Sequence, residues 1–211
     1  MRTVGRALLI AICLLASACT TNTDADACQP PECIIYGLTL NVSGIDPHIN
    51  DNIELGIALR NIYDTLVYRH PETNDFVAGL ATDWTISDDG RVYDFTLRQG
   101  VTFHDGTPFN ADAVAANFAR IFDDNVASQR SRFLLGPINS YQVVDEFTFR
   151  ISLNQPFQPL LDSLSQVYLG IASPTALTEF ENDQLRYQFH QVGTGPFRFV
   201  EYLTDDYIII E

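Results

Sequence analysis

Between Asp88 and Phe122 the sequence spells a turn, a strand, a second turn and a capped helix in unbroken succession, and this run restricts the fold most tightly. Asp88-Asp89-Gly90 has the residues of a tight turn. Tyr93, Phe95 and Leu97 then alternate with Asp94, Thr96 and Arg98, which predicts a strand buried on one face. Asp105-Gly106-Thr107-Pro108 is another turn. Asn110 is placed to cap a helix, with Asp112 near its positive end. That helix sets Val114, Phe118, Ile121 and Phe122 on one face. A second alternation follows, with Phe147, Phe149, Ile151 and Leu153 against Thr148, Arg150 and Ser152, closed by Pro156.

Outside this frame the signals are shorter. Cys33 to Val42 reads as a buried strand, and Ile45-Asp46-Pro47-His48 as a turn. Leu55, Ala58, Leu59 and Ile62, with Tyr63 beside them, predict a helix over 54–66. Further helices are expected over 159–167 and, opened by Pro174, up to Phe180. Strands over 197–202 and 207–210 are joined by Leu203-Thr204-Asp205-Asp206. Strands and helices mixed at this spacing imply an α/β fold of the mixed α+β kind.

With 211 residues, 46% of them hydrophobic, the chain can build one domain with a real core or two small lobes. Its net charge of −15 makes nucleic acid and anionic membrane surfaces poor partners, because phosphates need clustered cations. All 12 basic residues are arginine, which excludes a P-loop lysine, a Schiff-base lysine and a Ser-Lys dyad. His48, His70, His104 and His190 show no metal-binding spacing, and neither a metal nor a cofactor is expected. No Gly-x-Ser-x-Gly elbow is present. His104-Asp105 is better read as a strand-end histidine before an Asp-Gly turn than as part of a triad. Gly193-Thr194-Gly195 lacks the third glycine of a phosphate loop and meets Pro196, so it reads as a tight backbone turn. No pair among the scattered carboxylates stands out as a glycosidase pair. Trp84 is expected to pack in the core, with a ligand platform as the second reading.

The N-terminus reads as an address. Arg2 and Arg6 precede the apolar run Ala7 to Ala18, which falls short of the roughly 20 apolar residues a membrane span needs. It has the form of a secretory signal peptide. Ala16-Ser17-Ala18-Cys19 resembles the lipobox of bacterial lipoproteins, although Ala16 stands where leucine is usual. That resemblance implies a lipid anchor on Cys19; the alternative is a plain signal peptide cleaved after Ala18. Residues 19–32 then form the lipidated cysteine and a polar, flexible tether. Cys28 and Cys33 are the candidate disulfide, since an exported chain meets an oxidising compartment.

Four stretches, taken in order, resemble the family 5 extracellular solute-binding proteins, the peptide, nickel and related receptors of ABC importers. They are Gly44-Ile45-Asp46-Pro47-His48, Ile62-Tyr63-Asp64-Thr65-Leu66-Val67, the long block from Leu80 to Val114, and Val192-Gly193-Thr194-Gly195-Pro196-Phe197 with Val200-Glu201-Tyr202. The resemblance implies a periplasmic-binding-protein-like fold of two lobes that close around a ligand. Residues 33–49 would start the first lobe, 50–170 would form its extra subdomain, and 171–211 would return to it. The second lobe is not in this sequence, and the end inside an apolar run suggests a piece of a longer protein. The resemblance also implies a monomeric, non-enzymatic carrier, lipid-anchored on the extracytoplasmic face of a bacterial cell envelope. It would deliver oligopeptides or similar small solutes to ABC permease subunits. Asp51, Asn52 and Ile53 are the ligand-binding candidates: Asp51 for a ligand amine, the backbone of the other two for an added peptide strand. An ordinary helix-capping loop is the competing reading of these three. A truncated fragment without transport function, a secreted hydrolase and a sensory receptor are the alternatives.

Overall fold

The computed structural model describes residues 34–38, 44–49, 54–183 and 186–211. The leader at 1–18, Cys19, Cys28, Cys33 and residues 51–53 lie outside the described residues. Residues 38–211 form one compact unit, and residues 34–37 belong to another.

The predicted frame is present. β3 (Ala81–Ile86) and β4 (Val92–Leu97) are joined across the Asp88-Asp89-Gly90 turn, where Gly90 takes φ 67°. The turn closes as the Gly90 amide donates to Ser87 O at 2.8 Å. β5 (Ile138–Asp145) and β6 (Thr148–Leu153) complete an antiparallel sheet in the order β3-β4-β6-β5. Tyr93, Phe95 and Leu97 of β4 and Phe149, Ile151 and Leu153 of β6 are buried together on one face. Phe95 lies opposite Phe149 in the register.

α2 (Ala111–Phe122) covers that face. Its start is fixed by the Asn110 side chain, which accepts from Ala113 N at 3.0 Å. Phe118 meets Phe149 edge to face with ring centroids 5.1 Å apart. Val114, Phe118 and Ile121 are buried in this first core, each worth about 1.5–3 kcal/mol of burial. Phe122, predicted on the same face, is 36% exposed and stacks on Tyr141 at the margin.

A second core draws its residues from both ends of the unit. α1 (Leu55–Ile62) gives Leu59 and Ile62, and Tyr63 follows. The 3-10 turn Val167–Leu169, α5 (Pro174–Glu179) and the 3-10 turn Arg186–Phe189 supply Val167, Ala176, Leu177 and Tyr187. The hairpin of β7 (Phe199–Leu203) and β8 (Tyr207–Ile210) adds Tyr202. α2 lies between the two cores. Flanking its apolar face, Asn117 donates to Ala172 O and accepts from Ala172 N, both at 2.8 Å.

Three predicted elements differ from what is formed. Residues 34–38 carry no regular structure, and Ile34 and Ile35 are 94% and 78% exposed. A strand needs a neighbouring ladder for its backbone groups, and among the described residues none pairs with this segment. The helix expected over 159–167 shrinks to α4 (Leu160–Ser163). There the Ser165 hydroxyl donates to Asp162 O at 2.7 Å, taking a carbonyl that a continuing helix would use. α1 ends at Ile62, four residues before the predicted limit, for the reason given below. β1 (Val67–Arg69), β2 (Phe76–Ala78), β3, β5 and α3 (Gln129–Leu135) were not foreseen as elements.

Candidate functional site

The Asp46-Pro47-His48 turn is the buried anchor of the second core. Asp46 and His48 are 4% and 0% exposed. Arg120, projecting from the polar side of α2, donates to both carboxylate oxygens of Asp46, at 3.0 and 2.5 Å. It also donates from Nη1 to His48 Nδ1 at 2.8 Å. Nδ1 is therefore the acceptor, and Nε2–H donates to Gly170 O at 3.0 Å, which fixes the neutral tautomer of His48. Burial, and then the Arg120 charge, pull the His48 pKa down to about 4.

Arg120 also lies 4.9 Å above the Tyr187 ring. The Tyr187 hydroxyl meets that of Tyr63 at 2.8 Å, and Tyr63 donates on to Gln191 Oε1. Burial raises the pKa of both tyrosines, so both hydroxyls stay protonated. No sequence motif marks Arg120 for a role. Its one signal is position: Ala113, Asn117 and Arg120 follow one another at helical spacing on a face flanking that of Phe118.

This anchor fixes two things. It holds the turn immediately before residues 50–53. It also holds the floor of a groove, because His48 grips Gly170 while the Ser131 hydroxyl donates to Tyr168 O at 2.8 Å. The groove is open and has a volume of about 380 Å³. Gly56, Ile57 and Arg60 of α1, Arg130 of α3, and Gln166, Val167 and Tyr168 line it. Arg130 lies 5.0 Å over the Tyr168 ring, a cation–π contact that orients its guanidinium. Asp51, Asn52 and Ile53 lie outside the described residues, but the chain from them runs directly into α1, which lines the groove.

The two motifs that invited a catalytic reading are structural. His104 Nε2–H donates to Gly195 O at 2.8 Å, and its own amide donates to Gly193 O at 2.9 Å. Asp105 does not face His104. It accepts from the Ser173 hydroxyl at 2.5 Å and the Thr107 amide at 2.9 Å. These bonds outweigh burial and lower the Asp105 pKa. The amides of Gly195 and Phe197 serve the end of α1. Gly195 N donates to Ile62 O at 2.9 Å and Phe197 N to Asn61 O at 3.0 Å, satisfying carbonyls at the helix end. A Cβ at Gly193 would lie 2.1 Å from Ile62 O, so glycine is required by close backbone approach. Trp84 is half-buried at the edge of the first core. No group of three or more His, Cys, Asp or Glu able to hold a metal occurs among the described residues. No helix of the described residues is long and apolar enough to cross a membrane.

The model of the bacterial extracellular solute-binding proteins, family 5 Middle, matches residues 75–211. The glutathione-binding protein GsiB of Pectobacterium atrosepticum is 30% identical over 200 residues, covering 94% of this chain and 38% of that protein. The GsiB of Salmonella typhi is 33% identical over 179 residues, 84% of this chain and 34% of that protein. The periplasmic binding protein DppA of Helicobacter pylori, solved with the peptide STSA, superposes with TM-score 0.73 at 34% identity, covering 81% of this chain and 37% of that one. A dipeptide-binding protein of Pseudoalteromonas sp. SM9913, solved with Met-Leu, superposes with TM-score 0.72 at 27% identity, over 81% and 38% of the two chains. The chain thus spans between about a third and two fifths of the length of these relatives. With the motif order, the fold and the family match in agreement, the chain belongs to the bacterial extracellular solute-binding proteins of family 5.

Proposed function

We propose that this chain is part of the solute receptor of an ABC importer, carrying oligopeptides or similar small solutes, and that it binds without turning its ligand over. One observation carries the reading. The buried Asp46–Arg120–His48 cluster anchors both the turn that leads into residues 50–53 and the floor of the adjoining groove. A receptor needs such a wall to be rigid before a second lobe closes on the ligand. In this reading residues 33–49 begin the first lobe, 50–170 form its extra subdomain and 171–211 return to it. Asp51 pairs with a ligand amine, and Asn52 and Ile53 offer backbone hydrogen bonds. The ligands of the relatives, peptides and glutathione, suit such a site.

The complete gene product is the material to test, by calorimetric titration with a panel of di- to tetrapeptides and glutathione. Saturable binding of at least one, with the ligand recovered unchanged, is the expected result. Failure of the whole panel to bind, or steady release of cleaved product, would overturn the reading.

We further propose that Cys19 carries the lipid anchor and that Cys28 and Cys33 form a disulfide in the tether. Cys19→Ala is expected to move the protein from the membrane fraction to the soluble fraction or leave its leader uncleaved. Retention of lipid on the variant would refute the anchor. A count of free thiols in the unfolded, unreduced protein tests the disulfide; two reactive thiols from Cys28 and Cys33 would refute it.

A further inference from the structure

One edge of the four-stranded sheet lacks the usual guards. β3 and β5 are its outer strands. An open edge offers unpaired N–H and C=O groups to any extended chain, and proteins normally blunt it with charges, proline or a covering element. β3 is guarded: Asp83 stands within it, and the amide of Ala81, its first residue, donates to Leu66 O at 2.8 Å. β5 carries no charge and no proline over 138–144. Among the described residues, no backbone group of 139–145 bonds to backbone other than that of β6. Its two bulges fall between Ile138 and Ser140 and between Val143 and Asp145, so the ladder is regular over 140–143.

The surface beside this edge has a definite chemistry. Tyr141 and Val143 lie opposite the buried Ile151 and Phe149 in the register, so they face the side of the first core. There Tyr141 stacks on Phe122, with ring centroids 6.1 Å apart. Phe122 is 36% exposed, Val143 38% and Val144 46%, which leaves an apolar margin along the edge. Ser140 and Gln142 occupy the other face. Carboxylates gather at one end. Asp145 closes the strand and Glu146 follows it, and Ala111 N donates to Glu146 O at 2.9 Å, which brings the start of α2, with Asp112, to the same place. All three acids are exposed, and none forms an ion pair among the described residues.

We propose that β5 is a docking edge for an extended basic segment of a partner protein, which adds to the sheet as an antiparallel fifth strand. Antiparallel order continues the sheet and is the stronger pairing. The occupant then enters at the Asp145 end, so its arginines or lysines precede its strand. Alternate side chains behind them are apolar and rest beside Val143 and Phe122, and those between are polar, like Ser140 and Gln142. A second copy of this chain is a poor occupant, because each copy carries a net charge of −15. No residue of β5 lines the groove, so the edge is separate from the ligand site proposed above.

Two blocked heptapeptides serve as probes of the complete gene product: acetyl-Arg-Arg-Val-Thr-Val-Thr-Val-amide, and the same peptide with Glu-Glu in place of Arg-Arg. The arginine peptide is expected to bind saturably and to slow hydrogen exchange over residues 138–145. The glutamate peptide should bind about tenfold more weakly. Val144→Lys, which guards the edge, and Glu146→Lys, which reverses the charge, should each weaken the arginine peptide by about tenfold while the melting temperature of the free variants stays unchanged. Absence of saturable binding up to about 1 mM overturns the proposal. So does binding that slows exchange over α1 and not over 138–145, which assigns the peptide to the groove and leaves the receptor reading standing. Equal affinity for the two peptides overturns it too. Dimers of the free protein that Val144→Lys dissociates would also overturn it, by making a second copy the occupant.

Discussion

At the scale of single residues, the molecule's stability is most exposed at the Asp46–Arg120–His48 cluster. A buried ion pair contributes little compared with a well-packed apolar pair, but removing one partner strands the other charge. Arg120 and Asp46 side chains are 5% and 6% exposed, so Arg120→Met should destabilise by about 3–5 kcal/mol. Adding Asp46→Leu to that variant should restore part of the loss, because no charge is then left unpaired. Urea unfolding of both variants checks this, and a double variant no more stable than the single one would refute it. His48 adds a pH dependence. Its pKa is near 4 in the folded chain against 6.5 when free, so between those values the unfolded state binds a proton that the folded state excludes. The His48 contribution is therefore complete above pH 6.5 and is lost as the pH falls toward 4, by about 3 kcal/mol in all. His48→Gln should flatten the stability profile in that window relative to the native protein. Parallel profiles for the two would show that another group dominates the acid response.

At the scale of elements, α1 shows how glycines at its two ends do opposite work. Gly193 and Gly195 let the backbone close on the end of α1, where a Cβ would sit 2.1 and 2.5 Å from carbonyl oxygens of Ile62 and Asn61. Gly193→Ala must push two backbones apart and should cost about 3 kcal/mol or more. Gly56 lies in the first turn of α1, and a Cβ there would meet Val167 Cγ1 at 3.6 Å and Arg60 Nε at 3.9 Å, both ordinary contacts. Gly56→Ala should instead stabilise by about 0.5 kcal/mol, through the entropy of the unfolded chain. Thermal melts of the pair, expected to shift in opposite directions, test both statements. The same comparison explains what could be read in advance. β4, β6 and the capped α2 were legible because one face of each is buried, so their apolar residues keep a strict period. β3 buries only Ala81, and β5 buries none of its residues fully. Neither writes an alternation, because pairing to a neighbour rather than burial of a face makes them strands. The groove was illegible for a different reason. Arg60, Arg130 and Tyr168 stand far apart in sequence, and only the packing of α1 and α3 on the 3-10 turn at 167–169 brings them to one surface. Arg120 was hidden similarly, since arginine on a helix normally signals a solvated face.

At the scale of the whole unit, the question is whether two cores make one cooperative structure. The first core is assembled from the sheet and the apolar side of α2, and the second from α1, α5 and the β7–β8 hairpin. They share no strand, and α2 is one of the links between them, beside the bonds of His104 to Gly193 and Gly195 and of Ser173 to Asp105. That helix is committed to both, with Phe118 against Phe149 on one side, and Asn117 and Arg120 bonded to Ala172 and Asp46 on the other. A defect on the apolar side should therefore be felt in the second core, even though nothing there is touched. Phe118→Ala is expected to destabilise by about 3–5 kcal/mol through the cavity it leaves. If α2 couples the cores, the slowest-exchanging amides of β4 and of Ala172 should lose the same protection, because both exchange through one opening. Hydrogen exchange read by mass spectrometry on peptides from each region makes the comparison within a single sample. Loss confined to β4 and β6 would mean that the cores open separately. The groove floor, which belongs with the second core, would then be insulated from the sheet. Equal loss would mean that the wall offered to a ligand is as firm as the sheet, held by one helix buried on both faces.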